Sequence, residues 1–183
     1  KEIKNLYPNS FLLEWNDNNI INLMKRFFDY RVVDVYEKTK NRGFGKSLSK
    51  LCILYIKGGL FISGVKNLSS PILFNEGIDI YTFLDKQIKE LIFDENMIYS
   101  KSFQEEILAS INYIISKYIE EEIEIPIGEA IMKFMSLKNR TENYLPGQCI
   151  KLCENKKNIF YTYISSSGSI VGIKVVHNEI EKM

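Results

Sequence analysis

The chain is poor in the residues that build metal centres and disulfide frameworks. It holds one histidine, three cysteines and one tryptophan among 183 residues. An odd cysteine count without a secretory segment points to reduced thiols, and so to the cytoplasm or another reducing compartment. Cys149 and Cys153 lie four apart, but no second pair completes a tetrahedral site. His177 is the only imidazole, so structural zinc is not expected. No run of about 18 apolar residues occurs, which argues against a membrane-spanning helix. The first residues, Lys1 to Asn5, lack the apolar centre of a signal peptide. The formal net charge is +1, so no global field draws the chain toward nucleic acid or membrane.

What remains is ordinary globular material, 45% hydrophobic and 26% charged, enough for one domain over residues 1–183 with a core of its own. Frequent Ile, Lys and Asn suggest an AT-rich genome, such as that of a virus or parasite. That is a coding bias and carries no mechanism.

The hydrophobic pattern predicts a mixture of helices and strands. Phe11 to Trp15 reads as a short strand, and Asn16 to Asn19 as a helix cap. Ile20, Ile21, Leu23, Met24, Phe27 and Phe28 then recur at helical spacing. Val32 to Tyr36 is β-branched and strand-like. Lys38 to Lys46 reads as a loop, and Ser47 to Lys57 as a helix buried on more than one side. Gly58 falls just past that helix, where a positive φ is often needed. Leu60 to Val65 is apolar without alternation, as in a central strand covered on both faces. Strand, helix and strand in that order imply a right-handed crossover and a mostly parallel sheet.

Further on, 77–84 and 90–93 are expected strands. Lys101 to Glu121 and Glu129 to Leu137 are expected helices. Glu120 to Glu124 carries four acids in five residues, a solvated helix end. Ile159 to Ile164 and Ile170 to Val176 form an expected hairpin across Ser165 to Ser169.

The segment from Lys46 through Gly58-Gly59 to Val65 resembles the core of the glycosyltransferases named for their DXD sugar-binding motif, family 32. There the stretch runs roughly D-x-x-R-x-x-x-L-x-x-x-G-G-x-Y-x-D-x-D. The hydrophobic frame and both glycines, Gly58 and Gly59, are retained here. Ser47 and Lys50 stand in place of the Asp and Arg, and Ser63 and Val65 in place of the two aspartates. Weaker resemblances follow in order along the chain. They are Pro8 with Trp15 and Asp17, Glu95 to Ser100, Ile127 to Ala130, Leu145-Pro146, and Val175 to His177. The family's opening strand has no counterpart before Lys1.

The resemblance implies a GT-A-like, Rossmann-like α/β sandwich lacking the usual first strand. Its cleft would be a vestigial nucleotide-sugar site at Ser47, Lys50, Gly58, Gly59, Ser63, Val65 and His177. Members of the family move sugar from a nucleotide-sugar to a hydroxyl. A divalent cation held by carboxylates neutralises the diphosphate as the glycosidic bond breaks. Ser63 offers one neutral oxygen and Val65 none. His177 alone does not hold Mn²⁺ or Mg²⁺, so neither a metal nor a catalytic residue is expected. The resemblance therefore implies a pseudoenzyme serving as a structural or interaction module, with a protein partner or a second copy. The alternative is a metal-independent transferase that sets Lys50 and the basic stretch Lys38, Lys40, Arg42, Lys46 against the diphosphate of a nucleotide-sugar. A third reading takes Gly43-Phe44-Gly45-Lys46-Ser47 as a P-loop, although Lys40 occupies the position of its first glycine.

Overall fold

Helices dominate the first third of the chain, and their caps are visible in the side chains. The computed structural model describes residues 2–63, 65–69, 71–72, 80–85, 92–137, 147–154, 158–164 and 170–177. A short α1 (Glu2–Leu6) leads to α2 (Asp17–Phe27). Asn16 caps α2 as its pattern predicts, its side chain accepting the Asn19 N–H at 2.9 Å. Ile20, Leu23 and Met24 turn one face of α2 into the core.

The next element corrects the sequence reading. Val32 to Tyr36 is not a strand but the middle of α3 (Tyr30–Thr39). Asp29 caps this helix by accepting the Arg31 N–H at 2.9 Å. Val32, Val33, Val35, Tyr36 and Thr39 are buried on its inner face. A good cap and helically spaced burial outweigh the β preference of three valines. Helix α4 (Gly43–Lys57) begins four residues earlier than expected, so most of the supposed loop 38–46 is helical. Gly45 makes the corner between α3 and α4 possible. A Cβ there would lie 2.4 Å from the carbonyl of Thr39. Phe11 to Trp15, by contrast, has no regular structure, and no described strand pairs with it.

Gly58 closes α4 at φ 63°, as the sequence predicts, and Gly59 follows at φ 99°. Among the described residues seven strands make one sheet: β1 (Gly59–Ile62), β2 (Val65–Leu68), β3 (Ile80–Asp85), β4 (Ile92–Ser100), β5 (Gly147–Glu154), β6 (Asn158–Ile164) and β7 (Ile170–His177). Their order is β1-β4-β3-β5-β6-β7-β2. Between β4 and β5 lie α5 (Glu105–Glu121) and α6 (Ile127–Leu137), both close to expectation. Glu120, Glu121, Glu122 and Glu124 are exposed around the end of α5, as read. The paired strands β6 and β7 match the expected hairpin. The turn Ser165 to Ser169, Leu145-Pro146 and residues 77–79 and 90–91 lie outside the described residues.

The fold is mixed α/β, but its sheet is not mostly parallel. Among the described residues five of the six pairings are antiparallel, and only β3–β5 is parallel. The parallel expectation needed a strand before α4, and α3 occupies that stretch. The apolar run from Leu60 to Val65 is likewise not one central strand. It divides into β1 and β2, the two outermost strands of the sheet. Ile62 and Val65 are three residues apart, so they lie within about 11 Å of each other. The sheet must therefore curl until its edges approach. One bent stretch of chain pairs first with β4 and then with β7.

The core lies between α2–α6 and the β4 side of the sheet, with Leu48, Leu51, Ile98, Ile107, Ile111 and Ile114 fully buried. Met97 and Ile98 are neighbours on β4 and both fully buried, so this strand is covered on both faces.

Candidate functional site

Strand β1 and the outer face of α4 border a cavity of about 470 Å³. Helix α4 places Lys46, Ser49, Lys50, Ile53 and Lys57 along one wall, at the three- and four-residue spacing of a single helix face. Gly58 and Gly59 turn the chain at its end, and Leu60, Phe61 and Ile62 form the floor. Phe11, Leu12, Leu13 and Trp15 form the opposite wall. Among the described residues the lining contains three lysines and neither Asp nor Glu. Lys50 holds its ammonium 4.9 Å from the centroid of the Phe61 ring, a cation–π contact across the cavity.

Three of the seven sequence-predicted residues, Lys50, Gly58 and Gly59, meet in this cleft. Ser47 is half-buried on α4 and does not line it. Ser63 lies just past β1, where its hydroxyl donates to Asn96 Oδ1 at 3.1 Å. Val65 opens β2 opposite Lys174 of β7, and His177 ends β7 three residues beyond that partner. The antiparallel register thus carries the His177 backbone toward the Ser63 end of the bend. The side chains of Val65 and His177 lie outside the described residues. Among the described residues no three His, Cys, Asp or Glu side chains group as a cation site would require.

The P-loop reading does not survive the backbone. Gly43 to Ser47 is the first part of α4, preceded by a helix rather than a strand. A P-loop needs non-helical backbone to wrap phosphates with its N–H groups. Gly45 is explained instead by its close approach to α3. The basic stretch also divides. Lys38 pairs with Asp34 at 2.7 Å, and Arg42 with Glu124 at 2.7 Å, while Lys46 and Lys50 face the cleft.

Several weakly matching segments prove to be neighbours. Trp15 lines the cleft, and Asp17 accepts the Tyr36 hydroxyl at 3.1 Å, joining α2 to α3. Glu95 accepts the Gly128 N–H at 3.0 Å, which ties β4 to the start of α6. Sequence reasoning missed Lys57 and the Phe11–Leu13 wall. Lys57 carries no signal beyond its place at a helix end, and Phe11 to Leu13 reads as part of a short strand.

Cys52 is fully buried on α4, and burial pushes its thiol well above the ordinary range, so it is no nucleophile. Among the described residues no helix is long and apolar enough to cross a membrane. No protein-family model matches the chain, and a search of curated proteins finds no significant match.

Proposed function

We propose that this chain is a degenerate glycosyltransferase-like domain that no longer transfers sugar and serves as a protein-interaction module. The observation that carries this reading is the described lining of the cleft, three lysines with no carboxylate among them. A hard divalent cation draws its ligands from carboxylates and carbonyl oxygens. Without a carboxylate pair, the charge on a departing nucleoside diphosphate lacks its usual metal clamp. That is a loss of several kcal/mol, on the order of a thousandfold in rate. The Ser63–Asn96 hydrogen bond supports the same reading, because the hydroxyl at the former aspartate position is spent within the fold.

The test is a transfer and donor-hydrolysis assay with Mn²⁺ over several nucleotide-sugars. No turnover above the buffer rate is expected. Metal-dependent turnover abolished by His177→Ala would overturn the reading.

The lysines also favour a second reading, a metal-independent transferase in which Lys46, Lys50 and Lys57 balance the diphosphate. Calorimetry separates the two. Binding of a nucleoside diphosphate without metal, lost in Lys50→Ala, would support the transferase.

A further inference from the structure

The open edge of β1 has a defined hydrogen-bonding face. The Ser63 N–H donates to the Asn96 carbonyl at 2.7 Å, and Ile62, Phe61, Leu60 and Gly59 stand opposite Met97, Ile98, Tyr99 and Ser100. Antiparallel pairs alternate between hydrogen-bonded and non-hydrogen-bonded residues. Counting back from Ser63, Phe61 and Gly59 turn their backbone groups toward β4, and Leu60 and Ile62 turn theirs away. No described residue takes up the backbone groups of Leu60 or Ile62 on that side. β1 ends the strand order, so among the described residues this edge is unpaired, and it borders the cavity.

The opposite wall is more exposed than the strand itself. Phe11, Leu12 and Leu13 are 94%, 63% and 58% accessible. A second cavity of about 440 Å³ also borders Leu13, Trp15 and Lys57, so the segment is hollow on more than one side. An unpaired apolar strand edge facing an exposed apolar segment is a surface that a folded protein ordinarily covers.

We propose that this edge is a β-augmentation site, which takes an extended acidic peptide segment of a partner protein as an eighth strand antiparallel or parallel to β1. Main-chain groups of the incoming strand would bond Leu60 and Ile62, its apolar side chains would pack under Phe11 and Leu13, and its carboxylates would face Lys46, Lys50 and Lys57. Charge selects this occupant over a second copy of the chain. Pairing β1 with β1 of a second copy would bring two sets of three lysines together around a twofold axis. The proposal rests on reading the cleft as an interaction surface, and it names the partner's chemistry.

The test uses a fluorescein-labelled hexapeptide alternating Glu with Val, and a matched peptide alternating Lys with Val. Anisotropy should show binding of the Glu peptide alone, weakened at least tenfold in Lys46→Glu/Lys57→Glu. Ile62→Pro should abolish it. Its N–H points away from β4, so proline removes the docking donor while sparing the β1–β4 ladder. In the wild-type protein, peptide should slow hydrogen exchange at the Leu60 and Ile62 amides, a readout that needs no variant.

Absence of Glu-peptide binding, or full binding by a folded Ile62→Pro, overturns the proposal. So does protection of Leu60 and Ile62 without peptide that is lost in Phe11→Asp, since the chain would then close its own edge. Co-sedimentation with phosphatidylserine vesicles that is lost in Phe11→Asp and unchanged in Ile62→Pro would assign the patch to a lipid surface instead. None of these outcomes is a sugar-transfer rate, so failure here is distinguishable from failure of the pseudoenzyme reading.

Discussion

Ser63 and Asn96 are joined twice, by a backbone N–H to carbonyl bond of 2.7 Å and by a hydroxyl to Oδ1 bond of 3.1 Å. The side-chain bond fixes the serine hydroxyl against β4 just where the chain bends from one sheet edge to the other. Ser63→Asp replaces that donor with an acceptor and removes the bond, at a cost of about 1 kcal/mol. One carboxylate does not make a cation site, because a hard cation gathers several oxygen ligands. The expected outcome is a melting temperature about 2–4 °C lower and no Mn²⁺ binding by electron paramagnetic resonance. Tight Mn²⁺ binding by this single variant would mean that unseen ligands already converge on the bend.

The glycines of α4 and its cap separate sharply by the space around them. At Gly45 an added Cβ would meet the Thr39 carbonyl at 2.4 Å, and backbone on both sides leaves little room to yield. Gly45→Ala should destabilise by about 1–3 kcal/mol or more, the range of overpacking. At Gly43 nothing lies within 4 Å, so Gly43→Ala gains helix propensity, about 0.5–1 kcal/mol at most. Gly58→Ala suffers twice, from φ 63° and from the Ser102 amide nitrogen 2.8 Å away. It should lose about 1–2 kcal/mol from the left-handed backbone alone. Thermal melts of the three variants check the signs. A stable Gly45→Ala would show that the α3–α4 corner is looser than its geometry implies.

How much of this was legible beforehand follows from what each signal reports. Gly58 was readable because a glycine just past a long apolar helix has few other uses. Helices α2, α5 and α6 were readable from spacing alone. Val32 to Tyr36 misled because β-branched residues fit a buried helix face equally well once Asp29 caps it. A parallel crossover requires a strand at that place, and α3 occupies it. Leu60 to Ile62 reported burial correctly, all three being at least partly buried, but an apolar run does not say how many neighbours a strand has. The resemblance groups Lys50, Gly58 and Gly59, and all three line the cavity beside β1. Lys57 and Phe11 came to it through the turn at Gly58 and the irregular path after α1, which no local pattern encodes.

Glu95 and Gly128 offer a test of a contact made across 33 residues of sequence. The carboxylate accepts a backbone N–H at the start of α6, where the helix leaves donors without intrahelical partners. Gly128 is buried, so water does not readily replace the lost acceptor. Glu95→Ala should cost about 1–2 kcal/mol. Glu95→Gln, which keeps an oxygen but loses the charge at the helix N-terminus, should cost about 0.5 kcal/mol. Urea denaturation of both variants measures the difference. Equal losses would mean that charge, rather than the acceptor itself, holds α6 to β4.

Tyr36 and Asp17 make the stability of the α2–α3 pair sensitive to high pH. Burial first, and then the hydrogen bond and charge of Asp17, push the Tyr36 phenol up to about 12 from 10.0. The folded state thus holds this proton more tightly than the unfolded state. Its contribution is complete below about pH 10, shrinks as the unfolded chain begins to ionise, and is gone once pH passes about 12. Tyr36→Phe removes both the bond and the titrating group. At pH 7 it should cost about 1–2 kcal/mol, the loss of a hydrogen bond to a charged acceptor. Between pH 10 and 12 the gap between wild type and variant should close, because only the wild type loses stability through this group. Melting temperatures of the two proteins across that range decide the matter. Parallel curves would show that Tyr36 ionises no differently in the folded and unfolded chains.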